Sequence, residues 1–255
     1  MLAWLYNFPN VLIIIFFIAF IVSILICIQR LVKRVIPRGD REHEPILRIF
    51  VGLAVTLTFL LSFSMNQVMN SNQRIQLMIS QEASQLNNLD NLLLRLGYAG
   101  VQKIHQDLLA YIESIIEDEW PALKNGIGSE RTRRLYASVS DGVYSYVPQT
   151  PKEQILYEHA VRLVADIMDS RDQRIQNAQI TLNPIFWFTI SLVLLATFFT
   201  ISFMTNALFD AVLSRTYALA MASLIALVFI FDKPFKDDIV NYNPLYKALQ
   251  TMRVR

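Results

Sequence analysis

The sequence predicts an all-α polytopic membrane protein: four transmembrane helices, with a helical-bundle extramembrane domain between the second and the third. Three observations predict it. Apolar residues make up 54% of the 255-residue chain and charged residues only 17%, where a soluble chain has about 25% charged. The apolar residues gather in two pairs of long runs, one pair toward each end. The stretch between the pairs has soluble composition and helical periodicity, and no segment alternates as a membrane β-barrel strand does. Hydrocarbon offers backbone groups no partner, so the runs are expected to be helices.

The first run, Val11 to Ile28, is 18 residues long and uncharged, and with Phe8 and Pro9 in front it meets the roughly 20 residues a span needs. Trp4 and Tyr6 before it suit an interfacial belt. A cleaved signal peptide fits less well, because the apolar core is long, no basic segment precedes it and no small-residue cleavage site follows. The second run is Ile46 to Met65, with Arg48 placed to snorkel. The third, Ile185 to Met204, is introduced by Asn183-Pro184 and carries Trp187; the fourth is Ala211 to Phe231. The expected divisions are 1–65 (two spans and a basic loop), 66–182 (helical domain), 183–232 (two spans) and 233–255 (C-terminal tail).

The loop between the first two spans holds Arg30, Lys33, Arg34, Arg38 and Arg41, with Arg48 just beyond, whereas residues 1–10 hold no basic side chain. The positive-inside rule puts that loop in the cytoplasm and the N-terminus, the helical domain and the tail outside. Arg74, Arg171, Arg174, Lys233 and Lys236 oppose this, with less weight where they belong to a long translocated domain.

Neither glycine nor proline occurs between Gly52 and Gly97, so the second span is expected to continue as one helix out of the membrane. Ile75, Ile79, Leu86, Leu89, Leu93 and Leu96 form a heptad-like stripe interrupted by Glu82, read as a helix of an antiparallel bundle rather than a parallel coiled coil. A second helix is expected from about Val101 to Trp120, ended by Pro121. A third, less regular one spans about Glu130 to Tyr146 and carries Gly142. The fourth starts at Thr150-Pro151-Lys152-Glu153, an N-cap, a first-turn proline and a capping-box glutamate, and runs to about Leu182.

Chemistry-bearing patterns are few. The net charge of +2, without basic residues interleaved with aromatics, argues against nucleic acid. Cys27 stands alone in the first run, and His43, His105 and His159 lack metal-ligand spacing, so no cofactor or metal is expected. No nucleophile elbow, phosphate loop or zinc-protease helix motif occurs, so no enzyme is expected. Glu117, Asp118 and Glu119 are consecutive, cannot share a helix face, and read as a solvated helix end. Glu82 on the apolar stripe needs a partner, and Arg171 or Arg174 is the candidate for a structural ion pair. Arg215 and Asp232, at opposite ends of the fourth span, read as positioning charges near the interfaces. In the second span Thr58, Ser62 and Asn66 share one face and Phe59 and Phe63 the adjoining one. Together with Thr56, these polar groups would serve as glue between spans if nothing more.

Several segments, ordered along nearly the whole chain, are more specific. Tyr111 is followed by Glu117-Asp118-Glu119-Trp120-Pro121-Ala122-Leu123, and Thr150-Pro151-Lys152-Glu153-Gln154 by Leu156-Tyr157. Asp169-Ser170-Arg171 with Arg174 precedes Asn183-Pro184 and Trp187, and Phe231-Asp232-Lys233-Pro234-Phe235 follows the fourth span. In these the chain resembles the bestrophin-like family of bacterial membrane proteins. It departs at Lys236-Asp237, where a basic residue and glycine are usual, and at Leu182-Asn183-Pro184, where Leu-Pro-Pro is common. The resemblance implies a distant likeness to bestrophins, pentameric anion channels with four spans and a large cytoplasmic helical domain. That side of the membrane is opposite to the one the charge rule gives. The resemblance further implies a homo-oligomeric ion (anion) channel in the bacterial inner membrane, with lipids and an inorganic ion as partners. Its second span would line the pore, Thr58, Ser62 and Asn66 wetting it and Phe59 and Phe63 narrowing it. The other function class is a non-conducting scaffold or envelope-sensing protein whose outer helical domain binds a partner.

Overall fold

The computed structural model describes residues 8–35, 43–97, 101–204, 208–236 and 239–255. Trp4, Tyr6, Arg38, Arg41 and Asp237 lie outside the described residues. The described residues fold into helices without strands: α1 (Asn10–Val35), α2 (His43–Leu96), α3 (Val101–Ser114), a π-helical turn (Ile115–Glu119), α4 (Trp120–Leu123), α5 (Glu130–Tyr144), α6 (Pro151–Gln179), α7 (Pro184–Ser202), α8 (Leu208–Phe231) and α9 (Asn243–Arg253). The chain divides into a membrane unit, Met1–Asn70 with Thr181–Asp232, and a helical unit, Ser71–Ile180 with Lys233–Arg255.

Among the described residues, four helices are long and apolar enough to cross a membrane. α1 turns Ile13, Phe17, Ile21, Leu25 and Gln29 inward, one residue every fourth, which is a single helix face. That face lies along α8, where Phe17 meets Phe229 at 5.0 Å between ring centroids and Gln29 Nε2 donates to Ser214 Oγ at 3.0 Å. α8 is the enclosed helix: half of its most apolar stretch is buried within the chain, against 11% of that of α2.

The start of α7 follows from local chemistry. The residue before a proline disfavours helix, and Asn183 precedes Pro184 in an extended conformation while its side chain caps the backbone N–H of Ile185 at 3.0 Å. α6 accordingly stops at Gln179, three residues before the expected limit at Leu182. The freed N–H of Leu182 donates to Asp232 Oδ1 at 2.5 Å, and the Leu182 side chain packs with Val68 and Val228.

In the helical unit, the apolar stripe of α2 (Ile75, Ile79, Leu86, Leu89, Leu93) packs with Ile104, Leu108 and Ile112 of α3, Val139 and Val143 of α5, and Val164 and Ile167 of α6. Gly142 is there because α3 and α5 come too close for a side chain: a Cβ on it would lie 2.8 Å from Ile104 Cγ1. Thr150 caps α6 by accepting from the Glu153 N–H at 3.2 Å. Glu153 in turn accepts from the Gln149 backbone N–H at 2.7 Å and the Tyr146 hydroxyl at 2.8 Å, which hold its carboxyl below the ordinary range.

Pro121 does not end its helix. The ladder widens first, with the Trp120 N–H reaching back five residues to the Ile115 carbonyl, and continues through Pro121 into α4. A proline inside an α-helix clashes with the carbonyl four residues back; the wider π turn relieves that crowding. Trp120 then packs edge-on against Phe235 and Tyr242, at 5.2 and 5.5 Å. The C-terminal segment closes the same core with Leu245, Leu249 and Met252 of α9.

Candidate functional site

Two groups of residues stand out, one in each unit. In the membrane unit α2 turns Leu57, Leu61, Ser64 and Val68 inward, and leaves Thr58, Phe59, Ser62, Phe63 and Asn66 exposed. Phe59 is 75% exposed; Phe63 is partly engaged, stacked on Phe186 of α7 at 5.8 Å. The hydroxyls of Thr56, Thr58 and Ser64 donate to the carbonyls of Gly52, Ala54 and Leu60, four residues back in the same helix. Asn66 Oδ1 accepts from Asn70 Nδ2 at 2.8 Å, again within α2. These groups therefore satisfy themselves along one helix, and α2 presents to its surroundings a face of amides, hydroxyls and phenyl rings. Arg215 is exposed near the start of α8, while Asp232 is buried past its end, holding the Leu182 N–H.

In the helical unit a four-charge cluster is buried among α2, α6 and the π turn. Arg174 donates from Nε to Glu82 Oε2 at 2.9 Å and from Nη2 to Glu82 Oε1 at 3.1 Å, and Nη2 also lies 2.9 Å from Glu119 Oε1. Arg171 grips Glu119 through Nε at 3.1 Å and Nη2 at 2.5 Å, and the Ser129 N–H adds a bond to Glu119 at 3.0 Å. None of the four side chains is more than 5% exposed. Burial pushes the Glu82 carboxyl above its ordinary range, and Arg174 offsets only part of that. Burial also works against the charge on Arg174, but Glu82 and Glu119 outweigh it and hold the guanidinium's pKa up. Burial, then the field of Glu82, raises the Tyr111 hydroxyl well above its usual range. Tyr111 Oη and Arg174 Nη1 are buried without a hydrogen-bond partner among the described residues.

The acidic triplet is thus not a uniformly solvated helix end. Glu117 is exposed and Asp118 pairs with Arg131 at 2.8 Å, but Glu119 is the hub of the cluster. Each hydrogen bond of the π turn spans one more residue than in the α-helix, which swings Glu119 onto the core side, where α-helical spacing does not anticipate it. A signal for it existed: Arg171 and Arg174 lie three apart on one helix face and call for two carboxylates, while of the two buried acids of α2 Glu82 alone reaches them, Asp90 being held by His105 and Arg255. Among the described residues no cluster of three or more histidine, cysteine, aspartate or glutamate side chains could hold a metal ion.

A family profile, the Bestrophin-like domain, matches residues 15–240. No curated protein matches the chain. In fold the chain is similar to the crystal structure of a bacterial bestrophin homologue from Klebsiella pneumoniae, a single-substitution variant, with a TM-score of 0.58 and 14% identity over 94% of this chain and 96% of that one. A second crystal structure, of a membrane protein, superposes with a TM-score of 0.56 and 15% identity over the same shares of the two chains. Likeness at this level of identity speaks for the fold.

Proposed function

This chain belongs to the Bestrophin-like family, and from that premise we propose that copies of it assemble into a ring whose α2 helices surround an ion-conducting path. The observation that carries the reading is the outward α2 face. Of the membrane-crossing helices α2 is the least buried in its subunit, and the side chains it exposes include Thr58, Ser62 and Asn66 beside Phe59 and Phe63. Lipid tails gain nothing from the amides, whereas a wetted path does; the rings narrow such a path to a constriction that gates by dewetting. Phe59, free of the stacking that engages Phe63, is the better gate.

We further propose that the loop between α1 and α2 faces the cytoplasm of a bacterial inner membrane, with the helical unit outside. Arg171 and Arg174, two of the five cations that argue for the opposite orientation, are matched by Glu119 and Glu82. The ends of α1 and α2 at that loop bring Arg30, Lys33, Arg34 and Arg48. A C-terminal alkaline phosphatase fusion should be active and a C-terminal GFP fusion dark; the reverse pattern overturns the orientation while leaving the ring intact.

The experiment for the ring is native mass in nanodiscs. A closed oligomer is expected, and Phe59→Ala should raise ion leak in proteoliposomes more than Phe63→Ala does. A stable monomer removes the channel reading, because four spans in one copy leave little room for a lined path.

A further inference from the structure

The charges of α2 are divided unequally between its faces. Between Ile49 and Leu94 the helix carries Arg74, Glu82 and Asp90 and no other charged side chain. Both acids are buried and matched: Glu82 by Arg174, and Asp90 by His105 Nδ1 at 2.6 Å and Arg255 Nη1 at 2.9 Å. Arg74 is exposed, and no ion pair engages it among the described residues. Over that length the single charge α2 shows outward is positive.

Its place on the helix matters as much as its sign. Arg74 follows Asn70 by four residues and Phe63 by eleven. At 3.6 residues per turn these offsets leave it about 40° and about 20° from them around the axis, so the three share a face. Leu77, Gln81 and Asn88 are also exposed within about 60° of Arg74 around the axis, and all are neutral. Arg48, toward the other end of α2, is tied to Glu44 at 2.5 Å and adds little net charge. Arg95 sits about 30 Å further along, several screening lengths away at 0.1 M salt.

We infer that Arg74 sets the charge preference of the conduit, drawing in small inorganic anions and opposing cations. The inference rests on the α2-lined ring proposed above. In such a ring each copy contributes one arginine, and a ring of arginines raises the local anion concentration at the mouth of the constriction. Salt screens the effect, so the preference strengthens as ionic strength falls.

The test is the reversal potential of the purified full chain in planar bilayers under a KCl gradient. Wild type should reverse on the chloride side of zero, Arg74→Gln should move toward zero, and Arg74→Glu should cross to the potassium side. The wild-type and Arg74→Glu potentials should both move further from zero when both solutions are diluted at a fixed ratio, while Arg74→Gln changes least. Because Arg74 is exposed, native mass and thermal melting should match wild type in both variants. A conducting wild type that reverses on the potassium side overturns the inference. So does an Arg74→Glu variant with an unchanged reversal potential, or a shift produced by Arg95→Gln instead. Absence of any conductance, with a monomer in native mass, overturns the channel proposal itself and this inference with it.

Discussion

The two units differ in their polar contacts: most hydroxyls of the membrane unit bond within their own helix, Gln29 to Ser214 and Asp232 to the Leu182 N–H aside, while the helical unit adds buried ion pairs between helices to back-bonded hydroxyls such as Ser80 and Thr251. In the membrane unit, hydroxyls bond back to their own helix: Thr56, Thr58 and Ser64 on α2, Thr189, Thr197 and Ser202 on α7, Thr216 and Ser223 on α8, each to a carbonyl four residues earlier. In the helical unit, polar groups reach across the sequence. Glu119 holds Arg171, Glu82 holds Arg174, Thr132 Oγ1 donates to the Ser114 carbonyl at 3.1 Å, and Tyr136 Oη to the Val164 carbonyl at 2.7 Å. A hydroxyl bonded to its own helix is satisfied without fixing a neighbour, so it leaves a face free to meet lipid, water or another copy. A guanidinium bonded to another helix specifies which helices meet and in what register, at the cost of desolvating charge.

The comparison predicts where the chain is fragile, and Glu119→Ala should do most damage. It strips Arg171 of its carboxylate and leaves Arg174 with Glu82 alone. Breaking a buried pair from one side costs about 3–5 kcal/mol, so melting in mild detergent should drop by many degrees. A loss under about 1 kcal/mol would mean that water enters the cluster and that its burial contributes little. Next in size is Gly142→Ala, whose methyl group would overlap Ile104; overpacking of this kind costs about 1–3 kcal/mol. If the clash is the cause, the penalty should shrink in an Ile104→Ala background, measured as the coupling in a double-mutant cycle. Additive losses would point to helix propensity instead. Smaller again is Thr150→Ala, which removes the α6 cap for about 1 kcal/mol and should be rescued by Thr150→Ser.

Much of the fold was legible in the sequence because both solvents write strong patterns. The uncharged runs mark the spans, and the stripe from Ile75 to Leu93 marks the core face of one uninterrupted α2. What was illegible depended on backbone geometry outside those patterns. Pro121 reads as a helix end because α-helical sterics forbid it, and only the π turn accommodates it. The same turn hides Glu119 among three consecutive acids of which one is buried. α9 carries Leu245, Leu249 and Met252 at helical spacing, but its short amphipathic pattern stood beside spans so apolar that it read as a tail. In the membrane unit the sequence displayed the polar groups of α2 but not their aim, since a threonine that glues helices and one that bonds its own carbonyl are written alike.

The finest test of the comparison is the pH dependence of Glu82. Its carboxyl titrates above the ordinary value of 4.5 in the folded chain because burial disfavours the charge more than Arg174 favours it. Between 4.5 and the raised value the folded chain therefore holds a proton that the unfolded chain has released. Stability from this group is absent above the raised value, grows as pH falls through it, and is complete below 4.5. Glu130 and Glu153 act in a separate window: their lowered values keep them charged until the pH falls below 4.5, and their contribution is lost only there. Denaturation of wild type and Glu82→Gln from pH 7 down to 4.5 separates the cases, since the glutamine imitates the protonated carboxyl and has nothing to titrate. The gap between the two proteins should change with pH in the direction that favours wild type in acid. Parallel curves would mean that Glu82 keeps the same affinity for its proton folded and unfolded, and that the cluster is wetter than the packing around Arg174 implies.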